Sequence, residues 1–120
     1  MPNSYKKGDH DTRPWGTWEV LEASDNFCVK RIKVTAHNIL SLQSHNFRSE
    51  HWIITKGKAV VTLGDNKTSH TANDHIFIPV QTKHRIQNDT SQDMEFIEIQ
   101  TGETLDENDI IRYEDSYGRV

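Results

Sequence analysis

Short runs of alternating apolar and polar residues dominate the chain and predict β-strands rather than helices. The runs are rich in β-branched residues, and turn-forming residues separate them. The clearest predicted strands span residues 26–35, 52–54, 59–63, 76–78 and 94–101. Gly64 and its polar neighbours favour a hairpin turn after Leu63. The pattern therefore predicts an all-β barrel or sandwich.

Helical periodicity is weak along the whole chain. The strongest helical signal covers residues 105–112, where Asp106 and Glu107 suit the first turn of a short helix. Residues 1–14 are polar and indicate an N-terminal arm. We therefore predict a single domain, a β-barrel over residues 15–120 preceded by an arm over residues 1–14.

Size, charge and cysteine content narrow the possible functions. A chain of 120 residues has room for one modest core, and its three Trp and four Phe favour a packed interior. A net charge of −4 without a basic stripe argues against nucleic acid as a partner. The single cysteine, Cys28, excludes an internal disulfide and suits a reducing compartment. No apolar stretch approaches the ~20 residues of a membrane span, so we expect a cytoplasmic protein without a membrane partner.

Potential metal ligands follow the predicted strand pattern. Gln43 and His45 are separated by one residue, a spacing that directs both side chains to the same face of a strand. Glu50 comes after a short turn, at the head of an apolar run. His84 follows Pro79 by five residues in a later strand pair. An amide oxygen, two imidazoles and a carboxylate predict a binding site for one divalent metal ion.

The ligand types also bear on which metal binds. Gln43 is a neutral, weak and hard ligand, so zinc, cobalt, manganese, iron and nickel are all candidates. Four protein ligands leave a coordination position open for catalysis on a five- or six-coordinate ion. Strand alternation points His51 away from whatever Glu50 faces. The same rule allows only one of Lys30 and Arg31 to face the interior.

These spacings resemble the two motifs of the cupin superfamily. The first motif corresponds to His37-x5-Gln43-x-His45-x4-Glu50-x6-Gly57 and the second to Asp74-x4-Pro79-x4-His84-x3-Asn88. Three positions depart from the usual pattern, because His37 and Asp74 replace glycines and Gln43 replaces a histidine. The resemblance implies a jelly-roll β-barrel of the cupin type.

A narrower resemblance covers nearly the whole chain. Segments that recur in order are Arg13-Pro14-Trp15-Gly16, Leu40-Ser41-Leu42-Gln43, Arg48-Ser49-Glu50-His51-Trp52 and the stretch from Asp109 to Arg119. They are similar to the C-terminal cupin module of type II mannose-6-phosphate isomerases, where Gln is usual at the first ligand position. Asn46 and Phe47 depart from that family, which commonly has histidines at these positions.

The resemblance implies a metal-dependent aldose–ketose isomerase that interconverts mannose 6-phosphate and fructose 6-phosphate through an enediolate. The metal would stabilise the charge on the enediolate, and arginines would bind the phosphate bidentately. Arg112 and Arg119 are the predicted catalytic residues. Arg13, Arg48 and Tyr117 are predicted to bind the substrate. The general base stays open among Glu114, Asp115, His51 and a metal-bound hydroxide.

Other functions stay open at this point. Asn46 and Phe47 favour an isomerase or epimerase of another sugar phosphate. A non-catalytic sugar-binding or regulatory cupin would keep the fold without turnover, since this fold supports many functions. A metal-dependent dioxygenase is a weaker alternative. The resemblance also implies a homodimer, with the small-molecule phosphosugar as the other partner.

Overall fold

The computed structural model describes residues 4–118, and within them the chain forms eleven β-strands. The strands are β1 His10–Arg13, β2 Gly16–Ala23, β3 Phe27–Val34, β4 Leu42–Ser44, β5 Ser49–Lys56, β6 Lys58–Leu63, β7 Asn66–Thr71, β8 His75–Ile78, β9 His84–Gln87, β10 Met94–Thr101 and β11 Ile111–Glu114. The structure thus confirms the predicted all-β class. Across these residues we find no helix with the length and apolar character needed to cross a membrane.

The strands form two antiparallel sheets that face each other as a barrel. One sheet has the order β1-β2-β3-β10-β5-β8, and the other has the order β11-β4-β9-β6-β7. Consecutive strands frequently belong to different sheets, so the chain crosses repeatedly from one sheet to the other. The crossings bring inward side chains of β4, β5 and β9 to the same end of the barrel.

The predicted strands are confirmed with small changes at their ends, whereas the predicted helix over residues 105–112 is wrong. That segment consists of turns followed by β11. Asp106 accepts a hydrogen bond from the Asn108 amide through its side chain, and its carbonyl accepts one from the Asp109 amide. Leu105 is fully buried against the barrel. The hydrogen bonds to Asp106 and the burial of Leu105 therefore hold this segment in place of helical hydrogen bonds.

The interior of the barrel has a polar layer between two apolar clusters. Along β3 the inward side chains are Cys28, Lys30, Ile32 and Val34, and only Lys30 is charged. Ile32 and Val34 belong to the larger cluster, and Cys28 belongs to the smaller one. Burial raises the pKa of the Cys28 thiol to about 11. Strand alternation therefore places charged side chains at one level of an otherwise apolar core.

The N-terminal residues pack against this core. β1 pairs with β2 along its whole length, and the Ser4 amide donates a hydrogen bond to the Leu105 carbonyl. Tyr5 is buried in the smaller apolar cluster. The division between an arm over residues 1–14 and a barrel from residue 15 stays a prediction.

Gly57 turns the chain between β5 in one sheet and β6 in the other. Its φ is +83°, and a Cβ atom would lie 2.9 Å from Met94 Cβ. We expect Gly57→Ala to lower the free energy of unfolding by about 2–4 kcal/mol, from left-handed strain plus overpacking. Gly64→Ala is the matched control, because Gly64 has φ +61° with nothing within 4 Å of the added atom. We expect it to cost only about 1 kcal/mol from strain alone. Equal losses in urea titrations of both variants would contradict this prediction.

Candidate metal centre and cationic cavity

Two histidines and one glutamate converge at the polar end of the barrel. Glu50 points inward from β5, His84 begins β9, and His45 follows directly after β4. Each of the three side chains is almost fully buried. Their potential ligand atoms all lie within 4.8 Å of one another. The structure therefore brings together three of the four residues predicted as metal ligands.

Backbone carbonyls fix the orientation of both imidazole rings. His45 Nδ1 lies 2.7 Å from the Asp109 carbonyl oxygen, and His84 Nδ1 lies 2.9 Å from that of Thr82. A carbonyl only accepts, so Nδ1 of each ring carries the hydrogen and Nε2 keeps its lone pair. The Nε2 atoms lie 3.2 Å and 3.9 Å from the carboxylate oxygens of Glu50. This is the arrangement of metal-binding histidines, whose second nitrogen donates to a carbonyl or carboxylate.

The charge states match that arrangement. Burial, with a smaller contribution from Arg48, lowers the pKa of His45 to about 4, so the ring is neutral at pH 7. Burial opposes ionisation of Glu50, but the charge of Arg48 outweighs it and holds the Glu50 pKa well below its usual range. The short approach of His45 Nε2 to Glu50 Oε2 thus joins two hydrogen-bond acceptors and is not an ion pair. The donor set of two imidazoles and one carboxylate fits a divalent transition metal.

Gln43 lies beside the three converging residues. It is the register partner of His84 between β4 and β9. Its amide nitrogen donates a hydrogen bond to Ser41 Oγ at 2.9 Å. The amide oxygen, the atom that would bind a metal, takes no part in that bond. Gln43 also lines the cavities described below. Its role as the fourth ligand stays a prediction.

A second buried carboxylate, Glu98, adjoins the centre and was missed from the sequence. The Trp52 indole N–H is shared between Glu50 Oε1 at 2.9 Å and Glu98 Oε1 at 3.2 Å. Gln100 donates to the other oxygen of Glu98 at 2.9 Å. Burial, followed by the charge of Glu50, raises the pKa of Glu98 to about 7. The signal was available, because Glu98 has the same strand phase as the inward Met94 and Phe96.

A cationic cavity opens beside the centre, with a volume of about 140 Å³. The charged residues that line it are Arg13, Lys30, Arg48, Arg112, Glu98 and Glu107. Lys30 is held by two aromatic rings, with Nζ 4.1 Å from the Tyr5 centroid and 4.5 Å from the Trp18 centroid. A smaller cavity of about 30 Å³ has Glu50 and His84 among its lining residues. The two cavities share Gln43 and Glu98, so the cationic cavity leads to the candidate metal ligands.

The predicted substrate-binding and catalytic residues lie in different surroundings. Arg13 and Arg112 line the cationic cavity, and Arg112 pairs with Gln43 across β11 and β4. Arg48 lines it too, but its guanidinium reaches Glu50. Tyr117 packs on the apolar half of the barrel, where its hydroxyl donates to Asn38 Oδ1. Arg119 lies outside the described residues. The roles assigned to these five residues stay predictions.

Strand alternation separates two other candidates as expected. His51 lies on the outer face of β5, where its Nδ1 is 3.0 Å from His75 Nε2. Arg31 also faces outward, with its guanidinium 3.8 Å from Glu19, while Lys30 faces inward. The prediction that His51 points away from Glu50 is therefore confirmed.

Comparison with known proteins gives a family and a fold. Residues 3–115 match the family described as "Mannose-6-phosphate isomerase C-terminal". The chain is 45% identical over 108 residues to the xanthan biosynthesis protein XanB of Xanthomonas campestris pv. campestris, a match that covers 90% of this chain and 23% of that protein. It is 38% identical over 108 residues to the mannose-1-phosphate guanylyltransferase ManC of Salmonella typhimurium, covering 90% of this chain and 22% of that protein.

The structural comparison confirms the cupin barrel. The cupin domain of Cnp3 from Schizosaccharomyces pombe superposes with a TM-score of 0.69 at 13% sequence identity. The match covers 72% of this chain and 64% of that chain. At such low identity the similarity shows the fold alone.

The predicted interconversion of mannose 6-phosphate and fructose 6-phosphate is wrong as an assignment for this chain. Its relatives are named as polysaccharide biosynthesis proteins and as guanylyltransferases, and the chain spans less than a quarter of each of the two compared above. The activity of a whole relative therefore cannot be transferred to this module. What the matches establish is membership of a family of enzymes that act on sugar phosphates. The chain belongs to the mannose-6-phosphate isomerase C-terminal family and has the cupin fold of its C-terminal module.

Proposed function

We propose that this chain is a metal-dependent enzyme module that binds one divalent transition-metal ion and a phosphorylated sugar. His45, Glu50 and His84 bind the ion, and Gln43 supplies a fourth ligand. The single observation that carries the proposal is the convergence of two imidazole lone pairs and a buried carboxylate next to a cationic cavity. A bound ion would act as a Lewis acid on sugar oxygens, which is the chemistry that the family's substrates require.

The cationic cavity supports a phosphorylated ligand. Lys30, Arg13 and Arg112 line it, and arginine guanidinium groups match phosphate bidentately. The rings of Tyr5 and Trp18 restrict Lys30 to one side of the cavity, so its ammonium group is oriented before a ligand arrives. In this arrangement the phosphate lies among the cations, and the sugar oxygens lie toward Gln43 and Glu98, where the two cavities meet.

We further propose that the protein works in the cytoplasm as a homodimer. Cys28 is a free and buried thiol, which suits a reducing compartment. Ile53 and Phe77 are exposed on the outer face of the six-stranded sheet, where a second copy of the chain would bury them. Light scattering after gel filtration measures the oligomeric state directly. A monomer mass at micromolar concentration would contradict the dimer.

Replacing a ligand should release the metal without unfolding the barrel. We expect His84→Ala to weaken the binding of Co²⁺, Zn²⁺, Mn²⁺, Fe²⁺ or Ni²⁺ by more than about a hundredfold, beyond the usual effect of an outer-shell partner. Isothermal titration measures the affinity, and circular dichroism checks the fold. The matched control is His75→Ala, since His75 is exposed on the outer face. Retention of full affinity by the folded His84 variant would exclude the proposed site.

Removal of a cavity cation should weaken ligand binding and leave the metal in place. We expect Arg112→Ala to raise the Kd for hexose phosphates by about tenfold or more, the value of a charge-assisted hydrogen bond. Metal content should stay unchanged. Arg31→Ala removes the same charge from the outer face and serves as the control. If both variants bind the sugar phosphates as the parent does, the cavity is not the phosphate site.

A further inference from the structure

Arg48 contacts the candidate metal ligands directly, although the sequence assigned it to the substrate. Its Nε donates a hydrogen bond to Glu50 Oε2 at 2.9 Å, and its Nη2 lies 3.3 Å from His45 Nε2. The side chain is buried, with 7% of its surface exposed. One guanidinium group therefore contacts two of the three candidate ligands, His45 and Glu50.

The contact with His45 is the decisive one. His45 Nδ1 carries the ring hydrogen, because it donates to the Asp109 carbonyl, so Nε2 has a single lone pair. That lone pair accepts the hydrogen bond from Arg48 and cannot bind a metal at the same time. Glu50 Oε2 differs, because a carboxylate oxygen has a second lone pair and can keep its Arg48 contact. Metal binding through His45 therefore requires Nη2 of Arg48 to leave.

We propose that Arg48 competes with the metal ion for His45, and that metal binding moves Nη2 of Arg48 from His45 into the cationic cavity. This inference rests on the proposed metal site. Arg48 already lines the cavity, so a rotation of the guanidinium end suffices. Its Nη1 already donates hydrogen bonds to the Tyr5 hydroxyl at 3.4 Å and to the Asp106 carbonyl at 3.5 Å, and Tyr5 lines the cavity, so the guanidinium end has a polar partner on that side.

Two effects give this exchange a direction. The guanidinium and the ion are both positive and would lie within a few ångströms of each other. Their repulsion favours the position of Nη2 in the cationic cavity, away from the ion. In the cavity, the released donors join Lys30, Arg13 and Arg112 and add a guanidinium edge that an oxyanion can use. Metal binding therefore strengthens the anion site, and by thermodynamic reciprocity an anion strengthens metal binding. The two binding sites are coupled because Arg48 contacts the candidate metal ligands and also lines the cationic cavity.

Metal titration of Arg48 variants tests the competition. We expect Arg48→Gln to bind Co²⁺ at least about tenfold more tightly than the parent, since both the competing donor and the like charge are removed. Arg48→Lys keeps the charge but loses the planar fork that reaches Glu50 and His45 together, and its affinity should lie between the two. Arg31→Gln, which removes an exposed charge from the outer face, should leave the affinity unchanged.

Thermal unfolding gives a second readout if Arg48→Gln folds poorly. Without Co²⁺ the variant should melt below the parent, because Glu50 loses its buried partner. With Co²⁺ its melting temperature should rise by more than that of the parent. An equal or weaker Co²⁺ affinity in the folded Arg48→Gln protein, together with a smaller thermal gain, would overturn the competition. Failure of the parent and all variants to bind any metal would instead overturn the proposed function itself.

Sulfate binding tests the second half of the inference, because sulfate is an oxyanion that does not precipitate Co²⁺. In the parent, Co²⁺ should tighten sulfate binding, and in Arg48→Gln the tightening should shrink by about tenfold, as one charge-assisted contact is lost. Metal-dependent tightening of equal size in both proteins would show that the ion alone attracts the anion. That result would exclude a role for Arg48 in anion binding. The competition at His45 would then be decided by the metal titration alone.

Discussion

The buried negative charge of Glu50 is the constraint on which the rest of the site depends. A carboxylate in the interior of a barrel needs compensation for lost hydration, and removal of a partner from such a pair costs about 3–5 kcal/mol. Glu50 accepts hydrogen bonds from Arg48 and from the Trp52 indole, each at 2.9 Å. The imidazoles of His45 and His84 complete its surroundings. The surrounding strands therefore have to present donors or cations at this one level of the core.

The loop before β11 supports the same centre from outside the sheets. The Asp109 carbonyl fixes His45, while the Asp109 carboxylate accepts hydrogen bonds from the amides of Asn46 and Phe47. Both interactions act on the turn between β4 and β5, which carries the candidate ligand. Asp109 therefore orients His45 through its backbone carbonyl and holds the neighbouring turn through its side chain.

The sequence predicted much of this structure, because alternation is a strong local signal. It identified the β-strands, the inward side of β5 and the outward position of His51. It also indicated His45, Glu50 and His84, which the structure brings together. The helix prediction failed because Asp106 and Glu107 suit a helical first turn and a side-chain-capped turn equally well. Periodicity cannot distinguish the two when Leu105 is anchored by tertiary contacts.

The sequence did not predict the side-chain contacts of the site, and the physical reason differs from that for the helix. Arg48 precedes Glu50 by two residues and shares its strand face, so pairing with Glu50 was available to Arg48 as well as phosphate binding. Distant pairings decide such questions, and these are absent from local sequence. Glu98 and Lys30 are register partners across β10 and β3, so the sequence separation of the two residues hides their proximity. Substrate specificity is absent from local sequence for the same reason, because it depends on side chains from many strands.

Charge balance connects these observations. Within the polar layer, Lys30 and Arg48 are positive, Glu50 is negative, and the raised pKa of Glu98 keeps it partly protonated near neutral pH. The layer is therefore close to neutral or slightly positive, which a buried region tolerates. A divalent cation added alone would give it a large positive excess, and a phosphate dianion would remove that excess. The interior charges would thus favour joint binding of cation and anion over binding of either one, and the cavity that Arg48 lines lies next to the candidate metal ligands.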